Sequence, residues 1–234
     1  MYHLEMPKDL ASSKALIILS GGLDSTVCLY LALTKYLSVE AISFDYGQRH
    51  KIELSRAKKI AKIVGVKHSI IKINSKIFLG SSLTDQSISV PKKSLQKKKL
   101  PNTYVPGRNI LFLSYAVSYA ESRNIGNIFI GVNALDYSGY PDCRPKFIQS
   151  FQNTINLGIR GTDSGEIKIM TPLLNLSKKE IIELGEKLKV PINLTHSCYD
   201  PRGSKPCGEC DSCLLRRKGI EEANLTHKYL IKMQ

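Results

Sequence analysis

The aliphatic run Ala15-Leu16-Ile17-Ile18-Leu19 passes directly into Ser20-Gly21-Gly22-Leu23-Asp24-Ser25-Thr26, and apolar residues then recur around a helix to about residue 36. A buried strand, a glycine turn and a helix in that order leave few folds open. Glycine has no Cβ, so the backbone can turn sharply and come close to a ligand. The first N–H groups of a helix have no acceptor within it, and the helix dipole puts partial positive charge at the same end. Such a junction is an anion site. Ser20, Ser25 and Thr26 can add hydroxyl donors. No Lys follows the second glycine as in a P-loop, and the third glycine of the dinucleotide fingerprint is missing. Asp24 either caps the helix or meets a cation that accompanies phosphate.

The rest of the first half alternates in the same way. Strands are expected at 39–44, 66–73, 127–132 and 167–170, with helices at 50–64 and 108–123. Strands separated by helices of this length pair in parallel. The 108–123 segment is apolar nearly all round, which predicts a buried helix. Pro145 suits the first turn of a further helix, with Asp142 as a cap upstream. Ser177-Lys178-Lys179-Glu180 has capping-box spacing and opens a helix to about residue 188. Residues 81–107 interrupt the alternation. They hold Pro91, Pro101 and Pro106 and the cluster Lys92, Lys93, Lys97, Lys98 and Lys99, and a loop of that length is functional or disordered.

Beyond Pro191 the composition shifts to Cys, Gly, Pro and charge. This predicts two units, an α/β domain over 14–190 and a small module with its tail over 191–234. The module carries Cys198, Cys207, Cys210 and Cys213, whose short spacings can enclose one tetrahedral ion with no open position. Zinc and an iron–sulfur cluster both use such spacing, with structural zinc as the expectation, one ion per chain. Residues 1–14 have no apolar segment, so no secretory signal is expected, and a chain without one keeps its thiols for metal. The longest aliphatic run is far below the roughly 20 residues that span a bilayer. No membrane association is expected.

Lys and Arg number 34 against 20 Asp and Glu, a net charge of +14. Two readings stay open: a basic surface around a site for a small anionic ligand, and a nucleic-acid footprint. Lys far outnumbers Arg, which favours the first. A tRNA-modifying enzyme and a zinc-knuckle nucleic-acid binder are the competing functions. The C-terminal residues beyond the cysteines leave little room for an RNA-binding appendage, and a knuckle needs no phosphate turn.

The string S-G-G-x-D-S resembles the pyrophosphatase loop of the PP-loop superfamily, whose members split ATP to AMP and pyrophosphate and so adenylate an oxygen. Four more strings narrow the likeness: Phe44-Asp45-Tyr46-Gly47-Gln48-Arg49-His50, Val105-Pro106-Gly107-Arg108-Asn109, the run from Asp136 to Arg144, and the cysteine segment from Lys205 to Leu214. In this order they resemble the 7-cyano-7-deazaguanine synthase family of queuosine biosynthesis, from residue 14 to about residue 223. The resemblance implies an α/β fold with a parallel-sheet, nucleotide-binding core, adenine nucleotide alpha hydrolase-like and Rossmann-like, beside the C-terminal zinc-binding module. It implies a cytoplasmic ligase that takes 7-carboxy-7-deazaguanine, ammonia and ATP with Mg²⁺, needs no nucleic acid directly, and forms a homodimer.

The same resemblance implies roles for individual residues. Leu19, Ser20, Gly21, Gly22, Leu23, Asp24, Ser25 and Thr26 would hold the nucleotide. Asp24, Arg108, Asp136 and Arg144 would serve the reaction, and Asp45, Tyr137 and Asp142 the deazaguanine. Tyr46, Tyr137 and Tyr140 could stack on the base or pack in the core. Capping and ordinary ion pairing would account equally well for Asp136, Asp142 and Arg144.

Overall fold

A computed structural model describes residues 14–49, 51–93, 100–135, 140–163 and 165–229. Five parallel strands form one sheet in the order β3-β2-β1-β4-β5: β1 Lys14–Ile18, β2 Ser38–Asp45, β3 Lys67–Lys72, β4 Asn127–Phe129 and β5 Lys168–Met170. Helices α1 Leu23–Leu33 and α2 Ile52–Val64 connect the first three strands. Helix α3 Arg108–Glu121 brings the chain back to β4, on the other side of β1, and α4 Pro145–Gly158 leads to β5. The chain thus reverses its direction of travel across the sheet between β1 and β4. Open α/β sheets bind ligands at such a reversal, outside the carboxyl ends of the strands.

Strand β1 is buried on both faces. Ala15, Ile17 and Leu19 join a core with Val27 and Leu29 of α1 and with Ile60 of α2. Leu16 and Ile18 point the other way, into a core with Phe112, Leu113 and Val117 of α3 and with Ile148 and Ile155 of α4. Continuous aliphatic strands such as this one suit a sheet covered on both sides. Helices α5 Lys178–Lys187, α6 Asp211–Glu222 and α7 Thr226–Tyr229 follow β5. Ile181 and Ile182 of α5, Ile220 of α6 and Tyr229 of α7 all enter the α1 core. The C-terminal segment is therefore packed onto the sheet layers. A Cβ on Gly219 would stand 2.7 Å from Lys178 Cγ, so glycine lets α6 lie tight against α5.

The capping box is formed: Ser177 Oγ accepts from Glu180 N–H, and the Glu180 carboxylate accepts from Ser177 N–H. Other expectations change. Helix α1 starts at Leu23 rather than Thr26, inside the glycine string, because Gly22 supplies an extended N-cap and Leu23 is buried. Asp24 is not its cap. Helix α3 is not buried all round, since Ile110 and Tyr115 face solvent while Phe112, Leu113, Ala116 and Val117 face the core. Asp142 does not cap α4, whose N-cap is Arg144 without a side-chain bond. The Asp142 carboxylate accepts instead from the Asn109 backbone N–H at 3.1 Å, and so serves the first turn of α3.

The 81–93 stretch is anchored at several points. The Arg49 guanidinium donates to the carbonyls of Ser82, Gln86 and Ile88. Lys93 N–H donates to Glu209 C=O at 3.0 Å, and Val90 packs on Cys198 and Cys210. Lys92 pairs with Asp200 at 2.6 Å. Lys97, Lys98 and Lys99 lie outside the described residues. No helix among the described residues is long and apolar enough to cross a membrane.

Candidate active site

A cleft opens at the carboxyl end of β1, at the reversal of the sheet. Ser20, Gly22, Asp24 and Ser25 of the turn line it together with Tyr46, Glu53, Arg108, Phe112 and Tyr140. Lys178, His196 and Arg216 complete it from the C-terminal elements. The turn between β1 and α1 is held from within. Ser25 Oγ accepts from Ser20 N–H at 3.1 Å and donates to Gly22 C=O, and Thr26 Oγ1 donates to the same carbonyl at 2.7 Å. Gly22 N–H donates to Ser20 Oγ. The N–H groups of Leu23, Asp24 and Ser25 open α1, and Gly22 offers them no side-chain cap. Unspent donors at a positive helix end fit an anion.

The two glycines of the turn do different work. Gly21 has φ +86°, and a Cβ there would stand 2.3 Å from Glu53 C=O and 2.8 Å from Ala57 N. Its bare Cα lets the first turn of α2 dock against the loop, and it does not line the cleft. Gly22 does line it. A third glycine, Gly131 just beyond β4, is just as tightly placed: its Cβ would meet Ser25 N at 2.8 Å. Gly131 lets the uncapped turn of α1 sit directly over the end of β4.

The charges around the cleft are mostly paired. Asp24 receives both hydrogen bonds from Lys178 Nζ, at 2.8 and 2.9 Å. Lys178 is the first residue of α5, set there by the capping box. Arg216 is buried and donates to Thr195 Oγ1, Ser197 Oγ and Ile192 C=O. Burial lowers its pKa to about 10, which still leaves it charged at neutral pH. Arg108 lies beside Tyr46 and Tyr140, with its guanidinium 6.0 Å from the Phe112 ring centre. Its Nε is buried without a hydrogen-bond partner. Phe112 stacks on Phe44 at 4.1 Å and meets the Tyr46 ring edge-on at 5.3 Å, an apolar wall beside the guanidinium. The Glu53 carboxyl is pushed up to about 7 by burial, against the opposing pull of Arg108. Burial also raises the Cys143 thiol, to about 11.

Of the residues singled out in the sequence, the cleft gathers Leu19, Ser20, Gly22, Leu23, Asp24, Ser25, Arg108, Tyr46, Tyr140 and Cys143. Thr26 is buried behind the loop. Asp45 ends β2, its carbonyl accepts from Ile73 N–H, and it does not line the cleft. Asp142 is buried beneath α3, and Arg144 is exposed at the start of α4. Asp136 and Tyr137 lie outside the described residues. Sequence reasoning missed Glu53, Gly131, Lys178, His196 and Arg216. Lys178 carried a signal only as part of the capping box.

The four sulfurs of Cys198, Cys207, Cys210 and Cys213 lie within 4.8 Å of one another. Backbone N–H groups of Asp200 and Cys207 donate to the Cys198 sulfur, those of Glu209 and Cys210 to the Cys207 sulfur, and that of Tyr199 to the Cys210 sulfur. Four thiolates so close would repel without a cation among them. The donor set, its short turns and its N–H···S bonds fit a closed tetrahedral ion such as zinc. The module meets the glycine turn directly, through His196 N–H donating to Gly21 C=O at 2.9 Å.

Residues 14–224 match the family model described as Queuosine biosynthesis protein QueC. The chain is 59% identical over 221 residues to the 7-cyano-7-deazaguanine synthase of Leptospira interrogans, covering 94% of this chain and 91% of that protein. Against the enzyme of the same name from Acetivibrio thermocellus, identity is 54% over 215 residues, with 91% and 95% covered. The NMN synthetase structure from Francisella tularensis shares the fold at 23% identity, with a TM-score of 0.51 over 93% of this chain and 86% of that one.

Proposed function

Because the chain belongs to the QueC family of queuosine biosynthesis proteins, and is an enzyme, we propose that it converts 7-carboxy-7-deazaguanine and ammonia into 7-cyano-7-deazaguanine at the expense of ATP. The observation that carries this reading is the uncapped first turn of α1 at the floor of a cleft that also holds Arg108 and Lys178. Polyanion at one end and a planar aromatic acid at the other would suit the donors of the turn and the wall of Phe112 and Tyr46.

The chemistry follows from poor leaving groups. Oxide cannot leave a carboxylate, but an adenylate can leave as AMP. Ammonia then displaces AMP to give an amide. A second adenylation, on the amide oxygen, lets that oxygen leave as well and yields the nitrile. Two activations in one cleft call for positioning and electrostatic stabilisation rather than a protein nucleophile. Ser20, Gly22 and Ser25 would seat the phosphates through the turn, with the N–H groups of Leu23 and Asp24. Arg108 would neutralise charge that develops on the leaving phosphate. The buried, high-pKa thiol of Cys143 is a poor nucleophile and is given no covalent role. Mg²⁺ would enter with the nucleotide and screen its phosphates. Asp24 would face that charge together with Lys178 rather than alone.

Cys198, Cys207, Cys210 and Cys213 would hold one zinc ion, which supplies folding stability to the 191–234 segment and no reaction chemistry. The setting is cytoplasmic, and the assembly a homodimer, testable by sedimentation. The central test omits tRNA. Zinc-loaded protein incubated with ATP, Mg²⁺, ammonium and 7-carboxy-7-deazaguanine should yield the nitrile by mass. No turnover by folded, zinc-loaded protein would defeat the reading.

A further inference from the structure

We propose that Glu53 is the proton acceptor for the nitrogen nucleophile, taking up the N–H protons shed as the carbon–nitrogen bonds form. This rests on the reading of the cleft given above. Only two carboxylates line the cleft among the described residues, Asp24 and Glu53. Asp24 is committed to Lys178. The Glu53 carboxylate makes no hydrogen bond and no ion pair among the described residues, and it stands in the first turn of α2. That turn is fixed against the phosphate loop by the missing Cβ of Gly21. Asp45 and Asp142 do not line the cleft, and the Asp142 carboxylate is spent on the Asn109 N–H, so neither competes for the role.

The reaction has protons to dispose of. In the first round the ammonia lone pair bonds to the acyl carbon. The carbon–oxygen bond to AMP breaks, its electron pair leaves on phosphate, and one N–H proton must go. In the second round the adenylated amide loses AMP, and the nitrogen gives up its two remaining protons by the time the triple bond forms. A carboxylate in reach of the acyl carbon balances these steps if it discharges to solvent after each proton it takes: one in the first round, and in the second one as the amide oxygen is adenylated and one as the nitrile forms. The groups that face Glu53 are Arg108 from α3 and Tyr46 from the segment after β2, and the Tyr140 hydroxyl stands close to both. Arg108 opposes protonation of Glu53 in the free enzyme. An anion seated on Arg108 would cancel that opposition, so Glu53 becomes a stronger base once substrate is bound. A proton acceptor poised near neutrality is the most effective kind at neutral pH.

Two measurements on Glu53→Gln separate this role from the site itself. The first is exchange of labelled pyrophosphate into ATP, driven by 7-carboxy-7-deazaguanine without ammonia; it should stay within about two-fold of wild type. The second is kcat/KM for neutral ammonia, which should fall roughly 100-fold or more. The wild-type value should climb with pH and level only above about 7, the value for the free enzyme, because the seated anion raises the Glu53 carboxyl further; the Gln variant should be flat. Glu53→Asp should restore part of the rate together with the pH dependence. Normal ammonia turnover by Glu53→Gln, or equal losses of exchange and turnover in both variants, would overturn the assignment. Absence of exchange in the wild type would instead overturn the adenylation reading, and the Glu53 role with it.

Discussion

The glycine turn after β1 and the loops that carry the cysteines are built from the same material, backbone N–H groups presented at tight turns. They spend it differently. In the cysteine loops, N–H groups of Tyr199, Asp200, Cys207, Glu209 and Cys210 all go to sulfur, at 3.2 to 3.4 Å. These five donors are spent on the cysteines and leave the site closed. In the glycine turn the hydroxyls of Ser25 and Thr26 bind Gly22 C=O, while the first N–H groups of α1 receive no cap. Satisfied donors make a strut, and unsatisfied ones make a receptor. The two regions are joined by the hydrogen bond from His196 N–H to Gly21 C=O, so the strut holds the receptor in place.

The comparison breaks most visibly at the closed site. Cys210 is wholly buried, and Val90 of the long loop packs beside it. Cys210→Ser should cut the metal content well below one zinc per chain and lower the melting temperature by about 10 °C or more, since structural zinc carries much of such a module's folding energy. Proteolysis of the 81–93 stretch should quicken in parallel. Unchanged metal content and melting temperature would show that the cysteines brace nothing. Next in size is Gly21→Ala. The new methyl would meet Glu53 C=O at 2.3 Å, on a backbone at φ +86°. A cost of about 3 kcal/mol is expected from the combined strain and overpacking, read by denaturant unfolding. An effect near zero would mean that α2 is free to move away from the loop.

A smaller stability change, but a large change in activity, is expected at Asp24. Removing it leaves Lys178, whose side chain is 11% exposed, without that partner. Breaking a partly buried pair of this kind should cost about 1–2 kcal/mol. Nitrile formation should fall by roughly 100-fold or more if the pair positions charge at the phosphates. Near-normal turnover by Asp24→Ala would reduce the pair to a tie between α1 and α5.

The strand–helix alternation, the glycine turn, the capping box and the cysteine cluster were all legible because each is local. A period of two or 3.6, or a fixed spacing, encodes them within a few residues. The rest of the cleft was not legible for the opposite reason. Glu53 reads in sequence as an acidic residue in a first helical turn, where dipole arguments already explain it. Lys178 reads as the second position of a capping box, and its role depends on α5 meeting α1 across 154 residues of chain. Gly131 has no positive φ to announce it; only the approach of Ser25 N shows why a side chain is excluded there. The expectation that Asp142 caps α4 failed in the same way. Its sequence neighbour was α4, and its partner in space is the start of α3.

The smallest effect tests whether helix start and receptor are coupled. Ser177 caps α5 through Oγ, and the next residue delivers Nζ to Asp24. Ser177→Ala removes one acceptor from an exposed helix end and should cost about 1 kcal/mol. For a chain of this size that is a drop of about 2–4 °C in melting temperature. The Lys178–Asp24 pair is held at its other end by α1, and α5 is held by Ile181, Ile182 and the close approach of Gly219. Those contacts survive the substitution, so activity at 25 °C should match wild type. If turnover falls along with the melting temperature, then the cap itself sets the reach of Lys178, and the open site depends on a hydrogen bond at the protein surface.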